Sequence, residues 1–409
     1  MKRIHYAWAI CLGGALSLFL VIGLGINIFA VYQPYIIEQN AFTNAQGSWI
    51  TTVRSLFTLL AMLTVNQLCG RMGLRRVMTL GCALLAVSYV VFGLAGHFLT
   101  YCLGSALTGL AYGYGGMVPL SLVIGHWFQD RRSFALGLAS AGSGVSTIFA
   151  PTIVTWIIET YSMQTAFLAE AAVILILTVL VWLLVRSAPE ELGMHPYHLG
   201  LEEVEQPEPR PAPEGMNRRW WYALLAAAFL VGAPCGPGFS HLTVLYTSSG
   251  YDSLVVAVLF SFLGFMISVG KIIGGQAYDV LGGWRGNFYM SGVLLVALGL
   301  GCLAPLGGRI LPVAVMILFG LGLPLSALPF AVWARDLLGD VGYEGAVRSL
   351  TVAYAFGMLV FGPLPGILAD WTGSYVPAYA LFALILMAAM AIVQGAYYKL
   401  NAGKDPARR

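Results

Sequence analysis

Residues 186–219 read RSAPEELGMHPYHLGLEEVEQPEPRPAPEGMNRR, and nowhere else does the chain stay polar for so long. Seven of the 18 acidic residues fall there (Glu190, Glu191, Glu202, Glu203, Glu205, Glu208 and Glu214), among Pro207, Pro209, Pro211 and Pro213. On either side lies an almost uninterrupted apolar block. Two apolar halves joined by one charged, proline-rich strap is the layout of a duplicated membrane protein.

Composition agrees. Charged residues make up 10% of the 409 and hydrophobic ones 59%, with a mean hydropathy of +0.81. Soluble domains carry about 25% charged residues, and a chain this apolar has too little polar surface to meet water. A spanning helix needs roughly 20 apolar residues. Six such runs precede the strap, at 7–33, 47–69, 77–97, 99–127, 133–158 and 165–186. Six follow it, at 220–246, 253–278, 287–306, 311–334, 346–368 and 376–398. Barrel strands would alternate apolar and polar residues over roughly ten positions, and these runs do not. The expectation is an all-α membrane protein with twelve transmembrane helices in two pseudo-symmetric six-helix bundles, 1–186 and 219–409, joined by a linker, 187–218.

With both termini inside, the cytoplasmic side collects 18 of the 21 basic residues, all but Arg54, Lys271 and Arg309. That asymmetry obeys the positive-inside rule and predicts a multi-pass protein of the cytoplasmic membrane. The linker is then cytoplasmic, and its composition predicts disorder. Topology accounts for the net charge of +3, which does not point to nucleic acid. The first apolar run is too long for a signal-peptide core and leads straight into further spans, so no cleavable leader is expected. Cys11, Cys69, Cys82, Cys102, Cys235 and Cys302 are scattered without a CxxC pair; they read as small buried residues rather than redox or metal groups.

The halves repeat weakly. Arg71-Met72-Gly73-Leu74-Arg75-Arg76 follows the second run, and Gly275-Gln276-Ala277-Tyr278-Asp279-Val280-Leu281-Gly282-Gly283-Trp284-Arg285 follows the eighth. Both resemble the G-x-x-x-D-[RK]-x-G-x-[RK]-[RK] loop of the major facilitator superfamily, in which it helps latch the cytoplasmic gate. The second copy keeps Gly275, Asp279 and Gly282; the first keeps Arg71, Gly73, Arg75 and Arg76 but has Asn66 and Gly70 where the family has glycine and aspartate. Asp279, near a helix C-terminus, opposes the helix dipole unless a cation or a helix N-terminus offsets it.

Further on, Trp127-Phe128-Gln129-Asp130-Arg131-Arg132 is followed by Ala135, Gly137, Ala139, Gly142, Ser143 and Gly144. This is similar to a segment of the monocarboxylate transporters and their bacterial relatives, the oxalate:formate antiporter-like members. Gly362-Pro363, then Gly366-Ile367-Leu368-Ala369-Asp370-Trp371-Thr372-Gly373-Ser374-Tyr375, resembles the G-x-x-x-D-x-T-G-x-Y ending of the same group. The acidic start of the first span typical of the animal members is absent; His5-Tyr6-Ala7-Trp8 stand there. The resemblance implies a secondary carrier working by alternating access, with Asp130, Arg131, Arg132 and Arg285 among the gating residues.

Small residues at Gly137, Ala141 and Gly144, and at Gly104, Thr108 and Ala111, predict narrow helix faces where backbones approach closely. Helix breaks are expected at Pro234-Cys235-Gly236-Pro237-Gly238, from Gly113 to Pro119 and from Gly320 to Pro329. Interrupted helices at membrane depth line a polar cavity or bend during rocking; kinked packing without function is the alternative.

Lys271 carries the sharpest functional signal. At 1.5 Å per residue it sits roughly 12 Å above the cytoplasmic end of the eighth helix, where a lysine costs on the order of 2.5–3.5 kcal/mol unless it meets water or an anion. Anchoring a substrate carboxylate and snorkelling to the headgroups are its two readings. The resemblance favours the anchor, because monocarboxylate-like carriers place a substrate-binding arginine there; lysine offers a point charge instead of a fork. Arg54, roughly 10 Å below the outer surface, either binds a second carboxylate or pairs with Glu38 or Glu159. The residue one turn before Lys271 is Ile267, where the animal carriers have aspartate, and Glu170 of the sixth span is expected at the outer rim. No usual proton-carrying carboxylate remains. Protons, as coupling ion, would then need Lys271, His241 or the substrate itself, although His241 also fits a capping or packing role. Asn27, Tyr32, Tyr112, Tyr114, Ser143, Trp333 and Tyr354 can complete a ligand pocket or belong to the core.

No Gly-x-x-x-x-Gly-Lys-[Ser/Thr] stretch exists to bind nucleotide. The six histidines are dispersed, so neither a membrane enzyme nor a metal or other cofactor is expected. A carrier-like sensor would be expected to carry an appended soluble domain. Monocarboxylate transport by symport or antiport is the leading expectation, exchange of a dicarboxylate through Lys271 and Arg54 the second. Efflux trails both, because Pro151 stands well beyond Gly144.

Overall fold

The computed structural model describes residues 5–129, 132–198, 218–338 and 343–402. Every regular element among them is helical, and an isolated bridge pairs Phe128 with Tyr197. Ten helices are long and apolar enough to cross a membrane, or eleven once Ile310–Ser326 and Leu328–Asp336, bent by 46° at their junction, count as one span. The longest, Ser253–Gly301, turns at Gly282, whose φ of 74° lies in the left-handed region that glycine enters freely. It therefore holds two spans, which is consistent with the twelve expected. Helices are the form an apolar chain takes in lipid, because they satisfy every backbone donor and acceptor within the segment.

All three predicted breaks are present. Arg218–Cys235 gives way to Pro237–Ser240 and Leu242–Ser248; Phe98–Gly115 and Met117–Trp127 are separated by an extended Gly116; Ile310–Gly322 passes through a tight 3-10 turn at Leu323–Ser326. A fourth irregularity was not expected. Within the first span, Phe19–Ile28 winds as a π-helix, a widened form that recurs at functional sites.

The chain divides into two compact units, Met1–Phe42 with Trp49–Glu205, and Thr43–Ser48 with Gln206–Arg409. Each is held by the same kind of packing between corresponding helices. In the first unit a Cβ on Gly109 of the fourth span would strike the backbone of Arg54 and Thr58 on the second, and Gly142 of the fifth meets the Ala15 backbone on the first. In the second unit Gly270 of the eighth span meets Gly320 and Leu321 of the tenth, and Gly357 of the eleventh meets the Phe229 backbone on the seventh. The second and fourth helices of each half, and the first and fifth, thus touch backbone to backbone. Gly104 packs on the Phe92 ring as a narrow face should, but Gly137 has open space around it and Gly142 makes the close approach instead. The predicted small face on the fifth span was about one turn out of place.

The start of the linker is folded, contrary to the disorder its composition predicts. Pro189–Leu192 forms a 3-10 turn. The Trp127 indole donates to the Arg186 carbonyl at 2.9 Å, the Tyr6 hydroxyl donates to Leu184 O at 3.0 Å, and Tyr197 exchanges backbone bonds with Trp127 and Gln129. His5, Trp8, Phe128 and Tyr197 close an aromatic cluster there. Long-range aromatic packing overrides local polarity. Residues 199–217 of the linker lie outside the described residues.

Because the Cβ of Gly357→Ala falls on the Phe229 carbonyl, that substitution should cost about 1–3 kcal/mol and lower the melting temperature in detergent by several degrees. Gly275→Ala, with nothing within 4 Å, should leave it unchanged; equal shifts in the two variants would refute the backbone-packing account.

Candidate functional site

In the first unit the structure gathers charge where the sequence placed a rim. The sixth span, Met163–Leu184, buries Phe167, Glu170, Ala171, Ile174, Thr178 and Val181, a spacing of three and four that is one helical face. Glu170 lies in register with that face and is only 7% exposed, so its assignment to the outer rim is overturned. The Tyr32 hydroxyl donates to Glu170 Oε2 at 2.5 Å, and the Tyr32 ring stacks on Phe167 at 3.9 Å. Tyr32 is fully buried and spent on this contact; it is an internal donor rather than an open ligand group.

Arg54 is buried too, with its guanidinium carbon 5.5 Å from the Phe29 ring centre and its Nη1 without a partner. The expected pairing with Glu38 or Glu159 does not occur: Glu38 is exposed and Glu159 accepts the Tyr35 hydroxyl at 3.1 Å. Stacking on an aromatic face recovers about 0.5–2 kcal/mol, a fraction of what burying a cation costs. Tyr89 belongs to the same aromatic cluster: its ring centre lies 6.5 Å from that of Tyr32 and 5.9 Å from that of Phe92, which is 5.0 Å from Phe29, and its hydroxyl donates to Leu24 O of the π-helical segment at 2.6 Å.

Other candidates of this unit are tied into packing. Asn27 donates to Thr147 Oγ1 at 2.8 Å, and Thr147 donates to the Ser143 carbonyl at 3.1 Å. These bonds staple the first span to the fifth. Ser143 is buried and donates to Ser140 O, so its hydroxyl is not offered to a ligand. Tyr112 leans half-buried on the core, while Tyr114 shares a 3.1 Å hydrogen bond with Thr64.

In the second unit Lys271 is exposed, and no hydrogen bond or ion pair engages it among the described residues. One heptad to either side, about 20° away around the helix, lie the buried Gly264 and Tyr278. The strongly exposed Phe265 and Ile272 sit about 100–120° from it. The lysine is off the apolar stripe of its own helix. His241 takes the capping role: it is fully buried, its Nδ1 2.9 Å from the Pro237 carbonyl and its Nε2 2.7 Å from Ser48 Oγ. A carbonyl only accepts, so Nδ1 carries the proton and Nε2 receives the serine hydroxyl. Trp333 is buried with its indole nitrogen unpartnered, and it meets Tyr354 across Phe330, whose ring centre is 5.6 Å from each. Asp370, quoted above only within a motif, caps a helix: it accepts the amides of Asn44 and Ala45 and the Asn44 side chain, each at 2.9 Å.

This arrangement meets its relatives over nearly its full length. A model of the Major Facilitator Superfamily matches residues 15–349. The chain belongs to the Major Facilitator Superfamily. It is 27% identical over 396 residues to Monocarboxylate transporter 12 of Rattus norvegicus, covering 88% of this chain and 79% of that one. To the MFS-type transporter hasB of Aspergillus fumigatus it is 25% identical over 393 residues, covering 92% and 85%. A crystal structure of a mutant of the nucleoside transporter NupG superposes with a TM-score of 0.76 at 11% identity over 94% of this chain and 99% of that one, a likeness of fold. The protein is therefore a multi-pass membrane transporter.

The gating candidates of this superfamily member divide by role. Arg71, Arg76, Asp279 and Arg285 are exposed, and a Cβ on Gly275 would meet nothing within 4 Å. Asp130 and Arg131 lie outside the described residues, and Arg132 opens the helix Arg132–Ser140. Gly73 takes a φ of 82° as the N-cap of Leu74–Gly93. Arg75 is locked: its Nε donates to Trp182 O at 3.0 Å, and its guanidinium lies 3.8 Å from the Trp182 ring centre. The family loop is thus a tie from the third span to the sixth in this half.

Replacing Arg75 with alanine removes a charged hydrogen bond and a stacked cation, at a cost of about 1–3 kcal/mol. Melting of Arg75→Ala in detergent should fall below wild type while Arg76→Ala stays level with it. A larger drop for Arg76→Ala would show that the tie is not where the stability lies.

Proposed function

We propose that this transporter is a secondary carrier of a small organic anion, a monocarboxylate first, which works by alternating access in the cytoplasmic membrane with both termini cytoplasmic. The observation that carries the reading is Lys271. Its ammonium is exposed without a partner and stands off the apolar stripe. A snorkelling lysine would lay its stem along that stripe. A lysine kept at span depth off the stripe calls for an anion or water, and the similarity to monocarboxylate transporters supplies the class of anion. A carboxylate met by one ammonium is held as a point charge, so selectivity comes from size and from the apolar and aromatic walls around it.

A second reading has its own observation. Arg54 is another cation with an unpartnered nitrogen, and two such charges suit exchange of a dicarboxylate for a monocarboxylate. His241, spent on Pro237 and Ser48, is left out of both readings.

Uptake of labelled lactate, pyruvate, oxalate and formate into proteoliposomes, with and without a pH gradient, separates them. Lys271→Ala should abolish transport of every anion the wild type moves. At equal pH, Arg54→Ala should spare lactate, pyruvate and formate under the first reading and impair oxalate selectively under the second. Wild-type rates in Lys271→Ala would remove the anchor.

A further inference from the structure

The first unit buries two opposite charges without joining them. Glu170 and Arg54 are each 7% exposed. Glu170 Oε1 and Arg54 Nη1 have no partner, and among the described residues no ion pair links the two side chains. An ion pair placed for stability would close that gap, since each unpaired charge costs several kcal/mol at low dielectric. Both side chains border one aromatic cluster, Glu170 through Tyr32 and Arg54 through Phe29, with Tyr89 and Phe92 between these rings. Leaving the two unjoined leaves a carboxyl that can change charge without breaking a bond.

We propose that Glu170 is the proton-binding group of this carrier, and that its protonation leaves the buried charge of Arg54 uncompensated. Glu170 Oε2 already accepts the Tyr32 hydroxyl, so an incoming proton binds the open Oε1. The step is a proton transfer from water to a carboxylate; no electrons move and no bond to carbon changes. With the proton off, the carboxylate offsets the guanidinium and the cluster is neutral. With the proton on, the cluster carries one positive charge, felt at a distance because the surroundings are apolar, and an organic anion restores neutrality. Proton and anion then favour each other's binding reciprocally. The titratable or charged groups around Glu170 are Tyr32 from the first span, Tyr89 from the third, whose ring centre is 6.5 Å from that of Tyr32, and, across Phe92 and Phe29, Arg54 from the second; Glu159 at the end of the fifth is engaged by Tyr35. Tyr35 lies one helical turn beyond Tyr32 and is part-exposed. Intramembrane carboxyls of this kind serve proton relays.

This proposal rests on the chain carrying an organic anion, and its test has an arm that does not. In infrared difference spectra of the purified full-length protein, a carboxyl C=O band should appear and vanish as the pH is cycled, and Glu170→Gln should lack it. In proteoliposomes under an inward proton gradient, Glu170→Gln should lose lactate accumulation and the proton entry reported by a trapped pH dye. It should retain lactate exchange at equal pH, because the amide mimics the protonated acid. Glu170→Asp should recover part of the proton entry. A band that persists in Glu170→Gln, or accumulation that survives there, overturns the proposal. Should wild type move none of the four anions, the transport reading falls while the infrared arm still decides whether Glu170 binds the proton.

Discussion

Lipid gives a helix no reward for hiding leucine, because acyl chains are as apolar as the side chain they replace. Cohesion has to come from close packing, and here it comes from glycines set against backbone. Gly109 lies on Arg54 and Thr58, Gly142 on Ala15, Gly270 on Gly320, and Gly357 on Phe229. Within each unit the same helix pairs meet in this way, the second with the fourth and the first with the fifth. Large apolar side chains are relegated to the outside: Leu175, Ile176 and Ile272 are 57–66% exposed. In water such a surface would be a fault; in a bilayer it is the solvent-facing surface.

Glycine-to-backbone packing also explains where the helices give way. A helix whose neighbours approach this closely can break only where its freed amides and carbonyls find substitutes. At the seventh span they do: the Pro237 carbonyl takes the His241 ring, and the Gly238 carbonyl takes the Tyr379 hydroxyl at 2.6 Å. At the π-helical part of the first span the Leu24 carbonyl takes the Tyr89 hydroxyl. Tyr89 also lies 6.5 Å, ring centre to ring centre, from Tyr32, the donor to Glu170.

Much of the architecture is legible in the sequence. Twelve runs of roughly 20 apolar residues announce spans whatever their packing, and proline-glycine clusters announce breaks. What escapes is anything that depends on which face of a helix turns inward. A rim position for Glu170 follows from an outward-facing sixth span, although the spacing of Phe167, Glu170, Ile174 and Thr178 already marks an inner face. Tyr32 reads as a ligand group on its chemistry alone, and its partner across the bundle is invisible in the sequence. The linker start reads as disordered from composition, while its anchors, Tyr6 and Trp127, lie far away in the chain. His241 stays open between capping and relay; only its two hydrogen bonds decide for the cap.

By itself the sequence determined the class of solvent, the all-helical architecture and the family. Each of these follows from local apolarity or from short motifs, which need no knowledge of neighbours. The tertiary structure alone decided which charges are buried, which tyrosine meets which carboxyl, and which lysine stays unpaired. Those outcomes depend on how helices are rotated about their axes, and rotation is settled by backbone packing between residues distant in the chain. A side chain's chemistry is written in its own position; its surroundings are written in everyone else's.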